Sequence, residues 1–441
     1  MRGIKFKVGI GIFSLFLHVS VFSQEMLEKE EAILIAMENN FDIKIAYNNL
    51  NVAGNNASIQ NSNYLPSLSG SAGANYSNSN GRITQRTGEE QDILNNETYG
   101  YSASVSLSYV IFDGFGRSNN YKTLQESYNI SLLDAQLMIQ NTILNIFNSY
   151  YEVARLSEDV NNQKEAMDIS RVRLQRAKFG NEYGQGTELD ILNAEVDYNN
   201  DSIVYLTNVQ LLANEKRNLN LYLGRDVNID FIVDTSLTYD TELSLEQLLV
   251  SAMDNNVSLL LQEGALRNSE YNIKSTTSGI IPKLTANASY GWNENNLGAA
   301  AFISKSIFSG PSLSATLSWN IYDGGTTNIR MQNSKIALEN QTIALERERL
   351  RVERNLSNAW NVYQTALFVK DAQEKNLQTA QTNFNRSADQ YKLGQISSIF
   401  FRQAQINLLN AQLELNFAKY KAKIAELTVL QLSGELSQAN F

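Results

Sequence analysis

Leu107-Ser108-Tyr109-Val110-Ile111-Phe112-Asp113-Gly114 returns 210 residues later as Leu317-Ser318-Trp319-Asn320-Ile321-Tyr322-Asp323-Gly324. Upstream of it, Asn39-Asn40 leads to Leu65-Pro66-Ser67-Leu68, and Asn255-Asn256 leads to Ile281-Pro282-Lys283-Leu284, landmarks 216 residues apart. Downstream, Lys178-Phe179-Gly180 matches Lys392-Leu393-Gly394 at an offset of 214. Three landmarks in the same order predict a tandem duplication. The drifting offset predicts small loop changes, with about four extra residues in the first copy around Tyr183-Gly184.

Each copy reads helix, strand, loop, strand, long helix, break, helix. The first repeat is expected over 24–224, with strands at about 66–78 and 99–113 and a helical tip at about 178–187. The second is expected over 243–433, with strands at about 282–293 and 311–323 and a tip at about 392–397. A linker with some β-character, 225–242, joins them, and 434–441 is a C-terminal tail.

The strand segments alternate with period two. In the first, Leu68, Gly70, Ala72, Ala74 and Tyr76 share one face and Ser67, Ser69, Ser71, Gly73 and Asn75 the other. In the second, Tyr99, Tyr101, Ala103, Val105, Leu107, Tyr109 and Ile111 lie opposite Gly100 and a run of serines. Leu284, Ala286, Ala288, Tyr290 and Trp292 repeat the pattern, as do Leu313, Ala315, Leu317, Trp319 and Ile321. A soluble sheet also alternates, but one face here carries aromatics toward its ends and the other is almost wholly small and polar. That is the pattern of a transmembrane barrel, lipid outside and water within. Strands of about ten residues cross a bilayer at a tilt. Four cannot close a barrel, whose smallest form has about eight strands, so several chains must combine. All three prolines, Pro66, Pro282 and Pro311, fall at expected strand starts, and the Asn- and Gly-rich stretches 77–98 and 293–310 read as external loops.

From about Arg117 to Lys178 the chain has no proline. Ile139, Ile146, Val153, Val160, Met167 and Leu174 recur every seven residues, with Ile143 and Tyr150 between. This predicts a coiled-coil seam on a helix of about 60 residues, roughly 90 Å long. Leu356, Tyr363, Leu377, Phe384 and Tyr391 keep the same register in the second repeat, interrupted by Lys370. Such stripes predict packing. Each long helix breaks at a glycine-containing tip, and a shorter helix returns over about 187–223 or 397–432, with Thr187 and Asp190 placed to cap the first return.

Composition narrows the function. Arg2, Lys5 and Lys7 precede an apolar stretch to Val21, and Val21-Phe22-Ser23 suits cleavage, so 1–23 reads as a secretory signal. The only histidine, His18, lies inside it, and there is no cysteine. The mature chain thus lacks the commonest general base, the commonest metal ligand and a thiol nucleophile. No catalytic residue, cofactor site or metal site is expected, and the scattered carboxylates on heptad helices read as solvated faces. Removing three of the 36 basic residues against 46 acidic ones leaves the mature chain near −13, which suits no nucleic-acid partner. No later segment is apolar enough for a spanning helix, so membrane insertion requires a closed barrel. A diffusion porin would need a full barrel in one chain. The remaining alternative is a periplasmic coiled-coil scaffold with a soluble sheet.

The tandem repeat, the Leu/Ile-Pro strand entries, the Phe/Tyr-Asp-Gly exits at 112–114 and 322–324, and the glycine-containing tips at 178–194 and 392–404 together resemble the TolC-like outer-membrane efflux protein family. The resemblance covers almost all of the mature chain. It implies a mostly α fold with membrane β: long antiparallel coiled-coil helices, and four strands per chain contributing to a trimeric 12-stranded barrel continued by an α-helical tunnel. It implies a homotrimer in outer-membrane lipid, a periplasmic adaptor protein and an inner-membrane transporter as partners, and no catalysis. The cell outer membrane, with a large periplasmic part, is the expected location.

By the same resemblance, Lys178, Phe179, Gly180, Gly186, Thr187, Lys392, Leu393, Gly394 and Ser397 fall in the adaptor-contacting tips. Asp190, Asn193, Phe400, Phe401 and Gln403 are candidates for the gate. Asp190 falls where members commonly have an acidic residue at the entrance; it also reads as a helix-start carboxylate favoured by the helix dipole. At the matching second-repeat positions this chain has Phe400 and Gln403, with Arg402 between, where members often have acidic residues. A hydrophobic constriction is the other available design.

Overall fold

A computed structural model describes residues 25–240, 242–298 and 303–436. The expected signal, with His18, lies outside the described residues, as does the tail beyond 436. In chain order the elements are β1 (Glu25–Leu27), α1 (Lys29–Asn39), α2 (Phe41–Asn56), β2 (Ser67–Thr84), β3 (Glu90–Phe112), α3 (Gly116–Glu182), α4 (Glu188–Leu223), β4 (Phe231–Val233), α5 (Leu245–Asn255), α6 (Val257–Thr277), β5 (Lys283–Asn296), β6 (Lys305–Ser318), α7 (Thr326–Lys392) and α8 (Ser398–Ser433).

The strands β2-β3-β5-β6 form one antiparallel sheet in that order. Its register aligns the apolar faces: Leu68 opposes Leu107, Gly70 opposes Val105, Val105 opposes Tyr290, Leu107 opposes Ala288, and Ala288 opposes Leu313. The serines align on the other face, with Ser69 opposite Ser106, Ser106 opposite Ser289, and Ser289 opposite Ser312. One side of the sheet is thus apolar and the other wet, as lipid and lumen require. Leu68, Val105, Leu107 and Leu313 are all exposed in the single chain.

The strand ends differ from expectation in three places. The β2–β3 ladder runs on to Thr84 opposite Glu90, through most of the stretch read as a loop at 77–98. Arg82 holds it, with Nε 2.5 Å from Asp92 Oδ1 and Nη1 3.2 Å from Glu90 Oε2, so cross-strand charge pairs do there what apolar pairs do lower down. The stretch 293–310 likewise shortens, because β5 reaches Asn296 and β6 begins at Lys305. Pro311 therefore sits inside β6, opposite Tyr290, on an edge strand of the chain where a missing N–H is tolerated. At its other end β6 stops at Ser318, short of 323, because its one partner begins at Lys283.

Both Asp-Gly exits turn a strand into a helix. Asp113 Oδ2 accepts the Arg117 N–H at 2.9 Å, and Asp323 Oδ2 accepts the Thr327 N–H at 2.9 Å. Each carboxylate thus satisfies an orphan donor in the first turn of α3 or α7. The glycines that follow, Gly114 and Gly324, adopt φ of +66° and +69°.

Helices α3 and α7 are 67 residues each, about 100 Å at 1.5 Å per residue; α4 and α8 are 36 each. Ile146, Tyr150, Val153, Leu174, Leu356 and Tyr363 of the heptad series are buried. On the barrel side the helices lie side by side as α2–α3–α6–α7, and on the tip side as α4–α3–α8–α7. The main core lies where these two layers meet. Phe147, Tyr150, Tyr151, Leu219, Leu223, Leu356, Tyr363 and Tyr420 pack there with Leu27 of β1 and Phe231 of β4, strands that pair in parallel. The Tyr150 hydroxyl donates to Leu27 O at 2.8 Å and accepts the Asp234 N–H at 3.0 Å, which ties both short strands to α3.

The Asn-Asn landmarks are the joints of this layer. Asn40 and Asn256 cap α2 and α6, accepting the N–H groups of Ile43 at 3.0 Å and Leu259 at 3.1 Å. Their amides donate to Tyr222 O at 2.6 Å and Leu432 O at 2.8 Å, at the ends of α4 and α8. One side chain thereby caps one helix and anchors it to the end of another, twice.

Candidate functional site: the helical tips

The two tips are the same length. Tyr183-Gly184-Gln185-Gly186-Thr187 follows α3, and Leu393-Gly394-Gln395-Ile396-Ser397 follows α7. Gly184 and Gly394 take the left-handed conformation, φ +72° and +71°. Gln185 N–H donates to Gly180 O at 2.7 Å and Gln395 N–H to Gln390 O at 2.8 Å, closing both helices in the same way. The expectation of about four extra residues in the first tip is therefore wrong. Lys178, Phe179 and Gly180 lie within the final turns of α3, not in a break; their equivalent is not Lys392-Leu393-Gly394, which includes the break itself. Two copies of a Lys-x-Gly pattern were matched where only one glycine ends a helix.

The returning helices start differently. Thr187 Oγ1 accepts the Asp190 N–H at 3.2 Å, and Asp190 Oδ2 accepts the Thr187 N–H at 3.0 Å and its hydroxyl at 2.7 Å, a reciprocal capping box. These bonds from the Thr187 backbone and hydroxyl hold the Asp190 carboxyl below its ordinary range. Ser397 makes no side-chain cap to α8.

Asp190 and Asn193 are exposed on the first two turns of α4, and Phe400 and Gln403 are exposed at the equivalent turns of α8. Gln403 Nε2 donates to Asn407 Oδ1 at 2.9 Å. Phe401 is separate from them. It is 7% exposed and stacks on Tyr391 at 4.8 Å and Phe384 at 5.6 Å, inside the α7–α8 hairpin. Arg176 of α3 lies over the other partner, 4.6 Å from the Tyr391 ring centre, and donates to Lys392 O at 3.0 Å. Of the tip-contact candidates, Phe179, Leu393 and Lys392 project at the surface, and Gly186 packs on the backbone of Gly180 and Asn181. An open groove of about 640 Å³ runs between α3 and α7 just above them, floored by Ile169, Val172, Phe384, Ala388, Tyr391 and Phe401.

Sequence reasoning missed a charged cluster higher on the tips. Arg402 of α8 makes a two-pronged contact with Asp201 of α4: Nη1 donates to Oδ2 at 2.6 Å and Nη2 to Oδ1 at 2.8 Å. Ser170 of α3 donates to Asp201 at 2.5 Å, and Gln405 of α8 donates to Ser170 Oγ at 3.0 Å and Ala166 O at 2.7 Å. Arg173 of α3 pairs with Asp197 of α4, which lies 3.7 Å from Arg402 Nε. Ser170, Arg173, Asp201 and Gln405 are buried. Burial alone would lower the Arg402 pKa, but the hydrogen bonds and charge of Asp201, and then the charge of Asp197, raise it. The signal was present: Arg173 adjoins heptad residue Leu174, and Arg402 follows buried Phe401, so both charges sit on inward faces.

Among the described residues no group of three or more Asp, Glu, His or Cys is placed to hold a metal ion, and no helix is long and apolar enough to cross a membrane. The chain matches the outer membrane efflux protein family over residues 32–225 and 248–435. It is 23% identical to the outer membrane efflux protein BepC of Brucella suis over 409 residues, 92% of this chain and 85% of that protein. It is 21% identical to the outer membrane protein TolC of Vibrio cholerae over 301 residues, 68% of this chain and 69% of that one. Among solved structures, the Campylobacter jejuni CmeC outer membrane channel superimposes with a TM-score of 0.78 at 16% identity, covering 92% of this chain and 86% of that one. CusC does so with a TM-score of 0.75 at 15% identity, covering 93% of each. The chain belongs to the outer membrane efflux protein family: it is an outer-membrane channel of an efflux system, with a helical tunnel in the periplasm.

Proposed function

We propose that three copies of this chain close one 12-stranded barrel and one periplasmic tunnel, and that the helical tips form an entrance gated by docking of a periplasmic adaptor and an inner-membrane transporter. The observation that carries the trimer is the chemistry of the chain's two open ends. The sheet ends in unpaired edges at β2 and β6, and the tip-side helices end in α4 and α7. Within the chain, α3 packs on α8. The duplication makes the contact of α7 with α4 of the partner subunit its counterpart, at an offset of 210 residues.

Inside the chain that contact is polar: Lys419 Nζ is 2.6 Å from Glu158, and Asn416 Nδ2 is 2.9 Å from Asp159. At the counterpart positions α7 carries Phe368 and Val369, and α4 carries Leu206 and Val209, exposed by 75%, 41%, 64% and 37%. Four apolar side chains facing water on two complementary ends are what a subunit seam needs. The barrel-side helices repeat the pattern: Ile45, Val52 and Ile59 are exposed every seven residues at one end, and Ile329, Ile336, Ile343 and Leu350 at the other. Closure also removes both sheet edges, which lipid does not tolerate.

On this reading Asp190, Asn193, Phe400 and Gln403 face the entrance, a mixed ring of carboxylate, amide and phenyl groups. Phe401 supports it from behind. Lys178, Phe179, Gly180, Gly186, Thr187, Lys392, Leu393, Gly394 and Ser397 offer the surface for the adaptor. Transport work comes from the transporter, and this subunit supplies a wet path. Conductance in planar bilayers tests the gate. Asp190→Ala and Phe400→Ala trimers should each conduct more than the wild type, and unchanged conductance in both removes these residues from the constriction.

A further inference from the structure

We infer that the tunnel entrance opens between subunits, while the seam between the two hairpins of one chain stays closed. This rests on the trimeric reading above and names how its gate moves. The argument compares the two seams residue by residue. Inside the chain, α3–α4 is fastened to α8 by Arg402 on Asp201, Arg173 on Asp197, and Ser170 and Gln405 between them. Three helices contribute, and the cluster is shielded from water. A two-pronged guanidinium–carboxylate contact fixes orientation as well as distance. Parting this seam would leave two arginines and two aspartates to be separated out of a buried site, where like changes are strongly unfavourable.

The counterpart seam between subunits has none of these groups. At the offset of 210, Arg402 corresponds to Leu192, Gln405 to Glu195, Ser170 to Ala380, Arg173 to Asn383, Asp197 to Asn407 and Asp201 to Ala411. No arginine–aspartate pair exists there. Apolar contact at Phe368 and Val369 with Leu206 and Val209 of the partner subunit holds the seam farther from the tip, and small and amide residues line it below. The same six positions are thus a clamp within each chain and a loose join between chains. A load applied at the tips separates the join and carries each subunit's four helices outward together.

The chain has no cysteine, so paired thiols report each seam without background. Val172→Cys with Ala388→Cys spans α3 and α7 of one chain across the tip groove. Its counterpart, Thr382→Cys with Lys178→Cys, spans α7 and α3 of adjacent subunits. Each trimer is treated with a short bis-methanethiosulfonate linker, and single-channel opening frequency is recorded in planar bilayers before and after dithiothreitol. Linking across subunits should lower opening frequency at least about tenfold, reversibly. Linking within the chain should change it by less than about twofold. Equal effects, or a larger effect within the chain, would overturn the inference. A wild-type trimer that carries no current would instead refute the channel reading on which it stands. As a second measurement that keeps the charge, Arg402→Lys loses the fork; the within-chain linker should then suppress openings that the substitution adds. If Arg402→Lys adds none, the clamp does not hold the seam and the inference fails.

Discussion

The α3–α4 and α7–α8 hairpins have identical helix lengths and the same glycine turn, yet only the first begins its return with a capping box and only the first supplies acid to the charged cluster. Backbone geometry at these tips is set by a few local rules, above all one left-handed glycine. Side chains are then free to diverge, and they diverge where one seam lies inside the chain and the other at its edge. Duplication keeps the frame, and the seams acquire separate chemistry.

Breaking the cluster should have the largest effect. Asp201→Ala gives the first hairpin the residue that the second already has at Ala411, but leaves Arg402 buried without its main partner. The expected cost is about 3–5 kcal/mol, read as a fall in thermal midpoint of the tip by hydrogen exchange. A loss under about 0.5 kcal/mol would equate the two seams.

Next come the glycines, which contrast core with tip. Gly434 has φ +81°, and a methyl group there would come within 2.6 Å of Asn255 O. Gly394 has φ +71° with open space around it. Gly434→Ala should cost on the order of 3 kcal/mol, combining left-handed strain with a backbone clash. Gly394→Ala carries strain alone, about 1 kcal/mol. Chemical denaturation of each variant checks the ratio.

The caps sharpen the comparison on a smaller scale. Thr187→Ala should destabilise the start of α4 by about 1 kcal/mol, whereas Ser397→Ala, which removes no cap bond, should change α8 by only a few tenths. Amide exchange at 188–191 and 398–401 distinguishes them. The smallest effect is that of pH. Because the folded Asp190 pKa is depressed, its capping contribution is full above the ordinary carboxylate range and is lost as pH falls through the folded value. Acidification from neutral to about pH 3 should fray α4 before α8, whose first turn holds no acidic residue.

Much of this was legible in the sequence because it is periodic. Heptads such as Ile146, Val153 and Leu174 describe a long seam, and alternation such as Leu68 to Tyr76 describes a two-faced sheet, whatever surrounds them. Thr187 and Asp190 could be read as a cap because capping is local. What was misread depended on partners far away in sequence. Gly180 and Gly184 look alike until hydrogen bonding shows which one ends the helix. The strand around Arg82 reads as loop by composition, and only its pairing with Asp92 extends the ladder. Arg402 and Asp201 are 201 residues apart, and nothing local announces that they meet.

Native mass spectrometry of the detergent-extracted protein tests the central claim most directly. Wild type should appear as a complex of three chains of about 49.4 kDa, slightly less after signal removal, and Leu206→Asp with Phe368→Asp should reduce it to single folded chains. A wild-type monomer, or a double variant that stays fully trimeric, would contradict the account.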